Sequence, residues 1–190
     1  LPETVAKRLQ ALAQNENATL FMALLAAFGA LLGRYADQDD LAIGSPIANR
    51  NRLETEGMIG FFVNTLALRV DLSKQPTFRE LLVQVRDTTL GAYAHQDVPF
   101  EKLVEVLEPT RSLSRTPLFQ VMFILQNAVT NTPTLGGLTV QEAPVPVTGA
   151  KFDLTCALQE TGETLTGRME YATDLFDAAS MQRLIAQFTT

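Results

Sequence analysis

The chain predicts an α/β domain of the α+β sandwich kind, one mixed β-sheet with helices packed against it. Three observations carry that expectation. Helical and strand periodicities interleave along the sequence yet end in a β-rich stretch, an order that disfavours a regular βαβ winding. Residues 118–125 form a near-continuous apolar run rich in Phe, Val and Ile, the pattern of a central strand covered on both faces. Residues 152–158 and 165–171 alternate in polarity on either side of Glu160-Thr161-Gly162-Glu163, which predicts a hairpin. With 190 residues the chain is long enough for one domain with a sizeable core.

Each element has its own signal. Pro2 suits a first helical turn, and Val5, Leu9 and Leu12 recur at helical spacing. Thr19 is the expected N-cap of a second helix reaching about Tyr35, apolar nearly all round and therefore buried between layers. Asp39-Asp40 opens a short strand over 41–44 that Pro46 should stop, followed by the polar loop Asn49-Arg50-Asn51-Arg52. Residues 62–72 read as a strand and 77–94 as an amphipathic helix. Asp97 is the expected cap, and Pro99 the first-turn residue, of a helix over 100–107. Residues 128–150 are rich in Pro, Gly and Thr, with one weak strand at 138–142. Asp177 should cap a last helix through Met181, Leu184, Ile185 and Phe188.

Composition narrows the function. The apolar share of 46% and charged share of 19% are those of a folded protein. A net charge of −6 disfavours nucleic acid and anionic membrane surfaces as partners, leaving Arg50, Arg52, Arg111 and Arg115 for any local basic patch. One cysteine, Cys156, and one histidine, His95, allow neither an intramolecular disulfide nor a Cys/His zinc site, so only a carboxylate-based metal site remains possible and no metal ligand is assigned. Cys156 shares a strand face with Phe152, Leu154 and Leu158 and reads as a small core residue. The longest apolar run, 20–32, is shorter than the about 20 residues that span a bilayer, and no basic region opens a signal peptide. A reducing cytoplasm is the expected location, and the missing initiator Met suggests a piece of a longer chain.

Four places could carry chemistry. Asn64 falls on the apolar side of its strand, with Leu66, Leu68 and Val70, where an unpaired amide costs about 1–3 kcal/mol. Its amide can brace a neighbouring loop or bind a ligand amide, and the residues leave both open. His95 closes a helix two residues before Asp97, with no Ser or Cys beside it to act as nucleophile and no G-x-S-x-G elbow in the chain. Ser45, between Gly44 and Pro46 at a strand end, is either a turn residue or a hydroxyl facing a cleft. Arg111 and Arg115 precede the buried run as solvated loop charges or as an anchor for a phosphate.

Three strings then stand in order. Ile59-Gly60-Phe61-Phe62-Val63-Asn64-Thr65-Leu66-Ala67-Leu68-Arg69 resembles the fifth core motif of condensation domains in nonribosomal peptide synthetases. His95-Gln96-Asp97-Val98-Pro99-Phe100-Glu101 resembles the sixth, and Arg111-Ser112-Leu113-Ser114-Arg115-Thr116-Pro117-Leu118 the seventh, with Ser112 and Thr116 where the family often has Asp and Asn. Gly44-Ser45-Pro46-Ile47-Ala48-Asn49-Arg50 and Ala150-Lys151-Phe152-Asp153-Leu154 are also similar to the family.

The resemblance implies a chloramphenicol-acetyltransferase-like lobe, one of two forming a V around a tunnel. Donor and acceptor peptidyl carrier proteins would deliver thioesters there on 4′-phosphopantetheine arms, with no cofactor bound directly by this lobe. The family's H-H-x-x-x-D-G signature is missing from the sequence. Residues 1–190 are therefore expected to be the carboxy-terminal subdomain, inactive without the amino-terminal lobe and neighbouring synthetase domains. In that setting Asn64 and Ser45 would position substrate or a developing oxyanion, while His95, Asp97, Pro99, Arg111 and Arg115 would serve the structure. The stretch 128–150 would reach toward the partner lobe. Alternatives are an epimerisation or heterocyclisation relative, which the intact fifth motif disfavours, and a non-catalytic carrier-binding or recruitment module of the same fold.

Overall fold

The structure, a computed structural model, describes residues 1–107, 116–126, 136, 138, 149–161 and 164–190. Among these, helices α1 (Glu3–Asn15), α2 (Leu20–Ala36), α3 (Leu53–Glu56), α4 (Phe78–Ala94), α5 (Phe100–Leu107) and α6 (Ala178–Phe188) accompany strands β1 (Asp40–Ile47), β2 (Asn64–Asp71), β3 (Val121–Gln126), β4 (Leu154–Thr161) and β5 (Thr164–Tyr171). The strands form one sheet in the order β2-β1-β3-β4-β5. The β1–β2 and β4–β5 pairs are antiparallel, and β3 lies parallel to both of its neighbours. The mixed sheet, the central place of the apolar run and the hairpin all match expectation.

The helix starts follow from local chemistry. Thr19 Oγ1 accepts from the Met22 N–H at 3.3 Å and Asp177 Oδ1 from the Ser180 N–H at 2.8 Å. At α4 the Thr77 N–H donates to Glu80 Oε2 at 2.8 Å while Thr77 Oγ1 accepts from the Glu80 N–H, a reciprocal capping box.

One face of the sheet carries the core. Leu66, Leu68 and Val70 of β2, Ile43 of β1, Phe123 of β3 and Leu154, Cys156 and Leu158 of β4 pack against buried residues of α1, α2, α4 and α6. Phe123 is fully buried, its ring 5.7 Å from that of Phe21 and 5.4 Å from that of Phe28. Burial pushes the Cys156 thiol up to about 12, from an ordinary 9.0. The folded state therefore keeps a neutral thiol that the unfolded chain ionises. Stability should be intact below pH 9 and fall as pH rises from 9 toward 12, by up to about 1.4 kcal/mol per pH unit. Urea midpoints followed across that range should show a steeper fall for the native chain than for Cys156→Ala.

Four local expectations change. β1 does not stop at Pro46 but continues to Ile47, with Pro46 opposite Thr65. The ladder to β3 involves only Ile43 and Gly44, so beyond them that flank of β1 needs no N–H, and a proline is tolerated. The loop after β1 contains the helical turn α3. β3 begins at Val121, three residues later than expected, after Leu118 adopts a φ of 67°. Asp97 is exposed and makes no capping bond among the described residues; an acceptor from another element caps α5. Arg111, Arg115, most of 128–150, including 139–142 of the expected strand, and the hairpin tip at 162–163 lie outside the described residues.

Candidate functional site

Strand alternation leaves the second sheet face without the main helix layer. Thr65, Met122, Thr155, Ala157, Arg168 and Glu170 look out from it into a groove of about 720 Å³. Phe61 and Val63 form one rim of the groove, Pro99, Phe100 and Glu101 at the start of α5 form another, and Lys151 and Phe152 a third. A row of aromatic rings runs along it: Phe100 lies 5.4 Å from Phe119, and Phe119 lies 5.8 Å from Phe152. Phe119, only 2% exposed, rests over Gly44, where any Cβ would overlap its ring. Gly44 is therefore needed for close approach, whatever its backbone angles.

Asn64 joins the two motifs at this groove. Its Nδ2 donates to Gln96 O and Val98 O, both at 2.8 Å. Its Oδ1 accepts from the Thr65 N–H at 2.9 Å and from the Phe100 N–H at 3.2 Å. The last bond satisfies an orphan donor at the start of α5, which is the cap that Asp97 was expected to supply. Asp97 instead lines the groove together with Asn64 and Pro99.

His95 stands at the C-terminal end of α4 as its cap, exposed, with Nδ1 donating to Gly91 O at 2.9 Å. Ser45 does not face the groove: it is 4% exposed and pairs with Leu66, while its neighbour Pro46 lines the groove. Alternation along β1 turns the hydroxyl toward the helix layer, away from this groove.

Arg50 is already engaged and is no free element of a basic patch. Its guanidinium donates to Thr55 O and to Met58 O, the latter at 2.8 Å, and lies 4.3 Å from the Phe62 ring centroid. It thereby holds the β1–β2 connection, which presents Leu53, Met58, Ile59 and Phe61 to solvent. Among the described residues no cluster of His, Cys, Asp or Glu could hold a metal ion, and no single helix is long and apolar enough to cross a membrane.

A larger hollow of about 810 Å³ lies between α2, β1, α5 and α6, and neither Asn64, Ser45, His95, Asp97 nor Pro99 lines it. The groove is the better site because two separate motifs converge there. The aromatic row and the pair Arg168 and Glu170 went unmarked in the sequence. The signal for them was the outward-facing register of β4 and β5 set by the hairpin.

A mixed sheet with its main helix layer on one face and a groove, rimmed by the start of α5, on the other matches a chloramphenicol-acetyltransferase-like lobe. The chain belongs to the condensation domain family, whose model matches residues 1–190. It is 48% identical to malpinin synthetase of Mortierella alpina, over 94% of this chain and 2% of that protein. With chondramide synthase of Chondromyces crocatus it shares 46% identity, over 100% of this chain and 5% of that protein. Its fold is similar to holo-AB3403, a four-domain nonribosomal peptide synthetase bound to AMP and glycine, with a TM-score of 0.88 and 27% identity over 100% of this chain and 16% of that one. It is likewise similar to the X-domain from teicoplanin biosynthesis, with a TM-score of 0.85 and 32% identity over 95% of this chain and 43% of that one. The chain thus spans a small part of the synthetases it matches. Condensation domains of these synthetases are acyltransferases that form amide bonds between carrier-bound substrates.

Proposed function

We propose that this chain is the carboxy-terminal lobe of an amide-forming condensation domain and that its groove is one wall of the substrate tunnel. The observation that carries this reading is the meeting of the fifth and sixth motif strings at Asn64, on the rim of the groove. Support for a lobe comes from coverage, since the whole fold here matches less than half of the X-domain chain. The exposed Met58, Ile59 and Phe61 suit a surface that the amino-terminal lobe and a carrier protein cover in the full domain.

The reaction needs little from this lobe beyond placement. The acceptor amine nitrogen attacks the donor thioester carbonyl, a C–N bond forms, the C–S bond breaks, and the ammonium proton leaves as the donor thiol is released. Both substrates would arrive on phosphopantetheine arms of carrier proteins. The aromatic row of Phe100, Phe119 and Phe152 would give the substrates an apolar surface along one side of the groove. His95, the single histidine of the chain, does not line the groove, so a histidine base would come from the other lobe.

The test supplies two loaded carrier proteins to this lobe and, separately, to the two-lobe domain of the parent protein. Dipeptide from the two-lobe domain and none from residues 1–190 is the expected result. Turnover by the lobe alone overturns the reading. Carrier binding without turnover by the intact domain turns it into a recruitment module.

A further inference from the structure

We infer that Asn64 is a positioning residue that acts on the reaction by fixing the aromatic wall of the groove through Phe100, without touching substrate. The inference rests on the condensation reading above and concerns how that groove is held.

Hydrogen-bond valence leaves the Asn64 amide no capacity for a ligand. An Asn amide offers two N–H donors and an acceptor oxygen with two lone pairs. Here both donors go to Gln96 O and Val98 O, and the oxygen takes the N–H groups of Thr65 and Phe100. Nothing on the amide remains for a ligand. Each partner lies either beside Asn64 or in the 96–100 turn between α4 and α5.

That turn supports the aromatic wall of the groove. Phe100 is the first residue of α5, and its ring packs at 5.4 Å on Phe119, which rests over Gly44 and meets Phe152 at 5.8 Å. Pro99, Phe100 and Glu101 line the groove directly. Position 64 thus sets where α5 starts and hence where the row of rings begins. Only asparagine fits these four bonds: aspartate lacks the donors and would face two carbonyl oxygens, and glutamine sets the amide one methylene further out.

The experiment uses the two-lobe domain of the parent protein with Asn64→Ala, Phe100→Leu and the double variant. Two readouts are taken: amide hydrogen exchange over residues 95–103, and kcat/KM with loaded carriers. Asn64→Ala is expected to speed exchange in that segment about tenfold or more and to lower kcat/KM by a similar factor. Adding Phe100→Leu to it should cost little further, since both changes break one device. Lost turnover with unchanged exchange would mean direct substrate contact and overturns the inference. So does faster exchange at full turnover, or an additive double variant. Should Asn64→Ala fail to fold, Asn64→Asp, which keeps both acceptor bonds, is read in the same two ways. A wild-type domain that joins no carriers defeats the functional reading before any variant is compared, so the two failures stay distinct.

Discussion

Replacing Phe123 with alanine should cost the fold about 3–5 kcal/mol, a large share of the about 5–15 kcal/mol that holds a domain together. The ring sits at the centre of β3, with no solvent exposure and two aromatic neighbours, Phe21 and Phe28, on α2. Phe28 in turn meets the Phe188 ring at 5.5 Å, which ties in α6. β3 is hydrogen-bonded on both sides, so the backbone has little freedom to collapse into the space left behind. Thermal unfolding of the variant should show a midpoint about 10 °C or more below that of the native chain. A shift of under about 2 °C would show that the helices close over the cavity.

Gly44→Ala should damage function as well as stability. The added methyl would overlap the Phe119 ring, which is held between Phe100 and Phe152 and cannot swing aside without opening the row. Overpacking of this kind costs about 1–3 kcal/mol. The larger effect falls on turnover, because displaced rings misplace the groove wall; a shift of about 1 Å at a site can cost about a hundredfold in rate. We expect condensation by the two-lobe domain to fall by at least about tenfold in Gly44→Ala, with partial recovery when Phe119→Leu is added. Recovery measures the clash itself. Its absence, with a normal melting temperature, would place the importance of Gly44 elsewhere.

These residues show how differently fold and site are written in a sequence. The core was legible because burial imposes period: Leu66, Leu68 and Val70 alternate on β2, and the run through Phe123 has no polar interruption other than Gln120. The caps Thr19 and Asp177 were legible because each bonds within three residues of itself. Asp97 met the same local criterion, yet it does not cap α5. A side chain 36 residues away in sequence took the Phe100 N–H, a competition no local pattern records. Pro46 was read as a stop because the one-sided pairing of β1 beyond Gly44 is a property of the sheet.

By itself the sequence determined the mixed α/β class, the identity of the buried strand, the starts of the helices other than α3 and the family to which the chain belongs. Those depend on short-range periodicity, local hydrogen bonding and ordered motifs, all of which survive in one dimension. The tertiary structure alone decided that Asn64 faces the 96–100 turn, that Ser45 turns away from the groove, and that three phenylalanines from α5, the β3 approach and the β4 approach form one row. Such arrangements depend on strand order and register, which bring together residues far apart in the chain. Register is set by the packing of the whole sheet, so the groove exists only once the fold does.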